Sequence, residues 1–448
     1  MKKFNAFLVS LLATAALNAA VIDQVIVRQQ WPWSTDIKVE YRLLEVDAAH
    51  PVDLAVKAYN GDVELTLPEA AIKGDRYGIS DGVGTLVIDP VAAFGTAKVA
   101  LANFKVKLTV TDSPANINEV IYKIVCLTNG VVTDVTRSDI KNGLYGSYVT
   151  DYGQLGDGFT APLLSEWGEE TLVWTGVAAD NKYKTTHMVF RKIPAAGKTF
   201  TMGNASDPTV SRPAKLTKDY WMGVFEVTRG QMFAAGAGTA EAVASSCVPA
   251  NNLYFEDFIG WSYRWVPSSN DSYGGLVGKI RTMTTNAGAL LDVSVPSAAQ
   301  WEFAARGGTA TGLPTGKTYE TDAAKKVDIK LIGECYASEA VDVGQFKPNA
   351  FGLYDTVGNV SELECDYYVS DAVRTTNYET EQDLEDPLGP KSHTGQISCG
   401  GQAYFVNGAD PGSVNVWYRY PLYNANGGPD GSHYALAKWV GCRLMIRE

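Results

Sequence analysis

Histidine is nearly absent from this sequence. Only His50, His187, His393 and His433 occur, no two of them close together, which argues against a metal centre built on imidazole ligands. Basic clusters are missing too. The formal net charge is −12 and the 38 Lys and Arg are dispersed, so the chain lacks the concentrated positive charge that phosphate backbones and anionic lipid surfaces reward. Nucleic acid is not an expected partner. Beyond the first twenty residues no stretch approaches the roughly 20 apolar residues of a membrane helix, and no membrane insertion is expected. Cysteine is sparse. Six residues scattered from Cys126 to Cys442 do not make a dense disulfide framework, and their pairing cannot be read from spacing.

What is present begins with a leader. Lys2 and Lys3 form a basic start, Phe4 to Leu17 is mostly apolar and uncharged, and Ala19 and Ala20 follow. This is the layout of a secretory signal peptide, so residues 1–20 are expected to be cleaved near Ala19 or Ala20 and the protein to be exported. Its destination would be the periplasm, the cell surface or the medium. At 448 residues the chain is too long for one core, since single cores stop growing near ~250–300 residues, and two domains are expected.

Residues 21–152 read as strands. Ile37, Val39 and Tyr41 alternate with Lys38, Glu40 and Arg42, and Phe104, Val106, Leu108 and Val110 alternate with Lys105, Lys107 and Thr109. A period of two puts the apolar set on one face of a half-buried strand. Asn60-Gly61 and Asn129-Gly130 separate such runs, and Asn-Gly suits the two positive-φ positions of a type I′ hairpin. The pattern predicts an all-β sandwich of immunoglobulin-like character. Trp31-Pro32-Trp33 is expected to cap an edge of that core, in preference to stacking on a sugar. From Gly153 to Trp167 Gly, Asp and Pro accumulate and the alternation stops, so residues 153–187 are expected to be a linker and connecting strand.

The remainder, residues 188–448, carries four stretches with a common resemblance: KTFTMGN from Lys198, followed by PAKLTKDYWMGVFEVTRGQMFAA; VPSAAQWEFAARGG from Val295; FKPNAFGLYDTVGNVSEL from Phe346; and SCGGQAYF from Ser398 through VGCRLMI from Val440. In this order they resemble the formylglycine-generating enzyme (sulfatase-modifying factor) family. The second stretch also has its own logic. Ser297 with Gln300 three residues on is a capping-box layout. Trp301, Ala304 and Ala305 share a helix face, Glu302 can pair with Arg306, and Gly307-Gly308 ends the helix. The resemblance implies an α+β domain, the family's variant of the C-type-lectin architecture, with much irregular structure.

The resemblance also implies chemistry, which transfers only residue by residue. Active members bind copper through two cysteines just after the Gly-Gly strand, and soft thiolates suit monovalent copper. Counted without gaps from Gly400-Gly401, those positions hold Phe405 and Asp410, so copper is not expected. Cys399 and Cys442 read as packing residues or half-cystines. A family calcium site is built around a Gly-Asn-x-x-Glu turn, which here is Gly358, Asn359, Val360 and Glu362. Two readings of that turn stand: oxygen donors for calcium, or a salt-bridged Glu362 without metal. A second family calcium site is not carried over, because Cys335 falls near its Asp. The functional expectation is a non-catalytic binding or structural module for a peptide, protein or glycan. The alternative is an active oxidase that converts sulfatase cysteines to formylglycine; a third reading is a structural component of a cell-surface assembly.

Overall fold

The computed structural model describes residues 20–97, 103–207, 211–238, 243–253, 255–259, 275–367, 384–387, 397–400, 410–412, 414–422 and 439–448. Contacts divide the chain into two compact units. One runs through Glu119 and includes Lys141–Leu144; the other is Val120–Ile140 with Tyr145–Glu448.

Among the described residues the first unit has seven strands: β1 (Val21–Gln29), β2 (Ile37–Leu44), β3 (Val52–Asn60), β4 (Val63–Leu65), β5 (Ile72–Gly74), β6 (Gly82–Ile88) and β7 (Phe104–Asp112). They form two antiparallel sheets, in the orders β1-β2-β6-β5 and β4-β3-β7. Alternation along β2 buries Ile37, Val39, Tyr41 and Leu43 against Leu54, Leu86, Ile88 and Leu108 from both sheets. The hairpin at Asn60-Gly61 forms, but one residue later than expected. Asn60 pairs with Val63, which leaves Gly61 and Asp62 as the loop. Of these only Gly61 has positive φ (63°), whereas a type I′ turn needs two such residues. The tryptophans do not cap the core either. Trp33 is 90% exposed and Trp31 48%, because the β1–β2 connection carries them past the end of the sheet.

Two further strands, β8 (Val120–Cys126) and β9 (Val132–Thr136), lie in the second unit instead of the first. They end a six-stranded antiparallel sheet whose other members, from the far edge inward, are Asp292–Ser294, Met445–Arg447, Tyr220–Gly223 and His187–Ile193. β8 is buried on both faces, with Ile121, Tyr122, Ile124 and Val125 inside. The boundary therefore falls near residue 120, not 152. The segment expected to be a joint is packed as well. Tyr152, Leu155, Phe159 and Leu164 belong to the same core as Trp301 and Phe303, and the density of glycine reflects close approach: a Cβ on Gly156 would lie 2.5 Å from the Phe159 ring.

A four-stranded sheet, in the order Arg419–Leu422, Ile397–Gly400, Ser361–Tyr367, Val440–Gly441, lies in the same unit. The helix Ala298–Arg306 forms as its sequence dictates. Ser297 and Gln300 close a capping box, and Gly307 ends the helix at φ 57°. Trp301 is 2% exposed and serves packing.

Candidate functional site

Two buried ion networks hold the family stretches together. The first is centred on the Gly358–Glu362 turn. Gly358 takes φ 85°, and a Cβ there would lie 2.4 Å from the Glu334 carbonyl oxygen. Asn359 donates through Nδ2 to Glu226 Oε2 at 2.6 Å, and the Val360 N–H donates to Glu226 Oε1 at 3.1 Å. Both oxygens of Glu362 are taken. Arg443 donates to them through Nε and Nη2 at 2.7–3.1 Å, and Trp301 Nε1 donates to Oε2 at 2.5 Å. Arg443 spends its remaining N–H groups on the carbonyls of Gly223, Val224 and Tyr354. The side-chain donors of this turn do not fit a calcium ion, because the guanidinium stands where the dication would have to approach. Among the described residues no three His, Cys, Asp or Glu side chains converge as a metal-binding group.

This network holds more acid than base. Glu226, Asp355 and Glu362 are buried around Arg443, with Lys184 nearby. Burial, followed by the charges of Asp355 and Glu362, pushes the Glu226 carboxyl well above the ordinary range. Burial raises Asp355 to about 6, against the Gly344 N–H that it accepts. Asp355 Oδ1 has no hydrogen-bond partner among the described residues.

The second network is balanced. Glu302 accepts from Arg306 Nε and Nη2 (3.0 and 2.6 Å), from the Gly203 N–H and from Arg419 Nη2, while Arg419 Nε lies 2.8 Å from Glu364 Oε1. The same arginines reach outward to loops. Arg306 donates to the carbonyls of Gly203 and Thr311, and Arg419 to that of Val416. Those three loops wall a pocket of about 390 Å³, so its shape is set by the network beneath it.

Trp417 forms one wall, with the Arg306 guanidinium 5.5 Å from its ring. Gly312 stands behind it, where a Cβ would lie 2.3 Å from Asn415 Oδ1 and 2.7 Å from the indole, so no larger residue fits. Lys325, only 9% exposed, donates to Asn415 Oδ1 at 2.9 Å and to the Gly412 carbonyl at 3.4 Å. Burial lowers the pKa of this amine. Asn415 in turn donates to Gly412 at 3.1 Å.

Of the two positions that match the family's copper cysteines, Phe405 lies outside the described residues. Asp410 is exposed two residues before the pocket wall at Gly412, whose N–H donates to it at 3.4 Å. No cysteine lines the pocket among the described residues. Cys247, Cys335, Cys365 and Cys442 are buried free thiols, each raised by that burial, Cys335 to about 12. Cys442 is thus a buried packing residue with no disulfide partner among the described residues. Burial also opposes ionisation of Cys126, but hydrogen bonds from Thr128 outweigh it and lower this half-exposed thiol. Cys126 ends β8, outside the pocket. These residues do not fit a thiolate-bound copper ion.

The second unit thus sets a capped helix, whose Trp301 donates to Glu362 of the Gly-Asn-x-x-Glu turn, beside a loop-walled pocket. The sequence model of the sulfatase-modifying factor enzyme 1-like domain matches residues 177–446, and the chain belongs to that family. It is 30% identical to the formylglycine-generating enzyme of Mus musculus over 115 residues, which is 24% of this chain and 29% of that one. It is also 30% identical to the serine/threonine-protein kinase pkn1 of Chlamydia pneumoniae over 136 residues, 28% of this chain and 20% of the kinase. The chain thus spans less than a third of these relatives. Among solved structures, Treponema denticola variable protein 1 is similar over 58% of this chain and 96% of its own, at 19% identity and a TM-score of 0.40. PvdO from Pseudomonas aeruginosa is similar over 58% and 94%, at 18% identity and a TM-score of 0.36.

Sequence reasoning missed Lys325, Asn415 and Trp417. One signal was present: Trp417 to Tyr420 reads WYRY, an aromatic-rich run a few residues after Asp410.

Proposed function

We propose that the family domain of this chain is a non-catalytic binding module of an exported protein, with the pocket beside Lys325, Asn415 and Trp417 as its ligand site. The observation that carries this reading is the stretch from Gly401 to Tyr420, which contains no cysteine. Copper-dependent oxidation of a substrate cysteine needs soft thiolate ligands, and a hard carboxylate such as Asp410 is a poor substitute. An ammonium, an amide and an indole recognise ligands; they do not activate oxygen. Glu362 belongs to this reading as the partner of Arg443, without calcium. The N-terminal unit is proposed as an immunoglobulin-like sandwich, a reading supported by the order β1-β2-β6-β5, which matches strands A, B, E and D of that fold.

The test is a mass-spectrometric assay of the whole protein with a cysteine-bearing sulfatase-type peptide, copper and reductant. No formylglycine is expected. A formylglycine product that disappears on Cys399→Ser overturns the binding-module reading in favour of the oxidase. Calcium is tested separately: millimolar calcium should leave the melting temperature unchanged, and a rise abolished by Glu362→Ala would return the ion to this turn.

A further inference from the structure

We infer that the pocket takes a neutral carbohydrate, an inference that rests on the binding-module reading and specifies its ligand. Its wall combines the two kinds of group that a sugar ring needs. Trp417 and Tyr319 offer flat apolar surface for the C–H face of a pyranose. Asp322, Asn415, Lys325 and Thr311 offer carboxylate, amide, ammonium and hydroxyl groups for the hydroxyls. Lys317 is held by Asp328 at 2.6 Å, which leaves Glu320 and Asp322 against Lys325, so the wall has no excess of positive charge with which to select an anionic ligand. The volume of about 390 Å³ sits at the small end of the ~300–1,000 Å³ usual for small-molecule sites and has room for about one or two pyranose rings.

Rigidity supports the same assignment. Hydroxyl recognition is weak per bond and depends on partners already held in place. Here Lys325 fixes the Asn415 amide, whose Oδ1 faces the ammonium and whose Nδ2 faces Gly412. Arg306, itself pinned by Glu302, packs over the Trp417 ring. An extended peptide fits less well. Peptides commonly bind by adding a strand to a sheet edge, and none of the described residues that wall the pocket lies in a strand; they come from loops and from the first turn of the helix Asp322–Ile332.

The experiment presents the whole protein to arrays of immobilised neutral hexose, N-acetylhexosamine and uronic-acid oligosaccharides. Retention is expected on at least one neutral oligosaccharide, with competition by the same sugar free in solution. Trp417→Ala should weaken it about tenfold or more. Because that variant could loosen Arg306, Asp322→Ala at the exposed rim is measured beside it and should weaken retention at an unchanged melting temperature. Failure to bind any neutral oligosaccharide, or binding that both variants leave intact, overturns the inference. Binding of a peptide library that Trp417→Ala abolishes would overturn the carbohydrate while preserving the binding module, whereas formylglycine production would remove the module itself.

Discussion

Arg443 is 1% exposed and is the guanidinium around which Glu226, Asp355 and Glu362 are buried. Removing one partner of a buried pair costs more than the pair contributes, because the charge left behind has lost both water and its counter-ion. Arg443→Met should therefore destabilise the second unit by about 3–5 kcal/mol in urea unfolding. Glu362→Leu added to it should recover a substantial part of that loss, as expected of an ion pair. Asp355 gives a pH test. Its folded pKa, and that of Glu226, lie above the ordinary carboxylate values, so the folded chain holds more protons than the unfolded one. This contribution is fully present below the unfolded values near pH 4 and is lost as pH rises through about 6 for Asp355. A rise from 3.8 to about 6, at roughly 1.4 kcal/mol per unit, corresponds to about 3 kcal/mol. Unfolding measured from pH 4 to 7 should show Asp355→Asn gaining on the wild type toward about that much, with the gain accruing between about pH 4 and 6. A parallel pair of curves would exclude Asp355 as the titrating group. Of this the sequence offered only a salt-bridged Glu362; its partner Arg443 and the buried Glu226 lie far from it along the chain and look like ordinary charges.

At the level of elements, local rules worked where the interaction was local. The capping box at Ser297, the Glu302–Arg306 pair and the glycine stop at Gly307 all form as read from spacing. Ser297→Ala removes the acceptor for the Gln300 N–H and should cost about 1 kcal/mol in thermal or urea unfolding. Loss of less than a few tenths would mean that water or Gln300 replaces the cap. The pocket obeys no such local rule. Its loops near residues 204, 311 and 416 have no periodicity, and what brings them together is the reach of Arg306 and Arg419 from beneath. Even the hairpin at Asn60-Gly61, correctly placed, turns one residue late, because the β3–β4 register and not the dipeptide chooses the loop.

Across the whole molecule, the division into a β unit and a mixed unit was legible, and its position was not. Alternation marks a half-exposed strand, but β8 is covered on both faces by the larger core, so strand reading extended the first unit by some thirty residues too many. The consequence can be measured. A fragment that begins at Val120 keeps β8 beside His187–Ile193 and should unfold cooperatively, while one that begins at Met188 loses that neighbour and should be insoluble or lack a cooperative transition. Equal stability of the two fragments would place the boundary back at the Gly-rich segment.

The strand Met445–Arg447 lies inside the six-stranded sheet, between Tyr220–Gly223 and Asp292–Ser294. During synthesis, then, the first unit has all its residues once Leu144 has been made, whereas the larger unit waits some three hundred residues longer for the strand that joins two parts of its sheet and for Arg443 just before it. Until then its half-built sheet keeps two edges open to other chains. While the residues between Leu144 and Met445 are being made, the smaller unit is complete and the larger one needs protection.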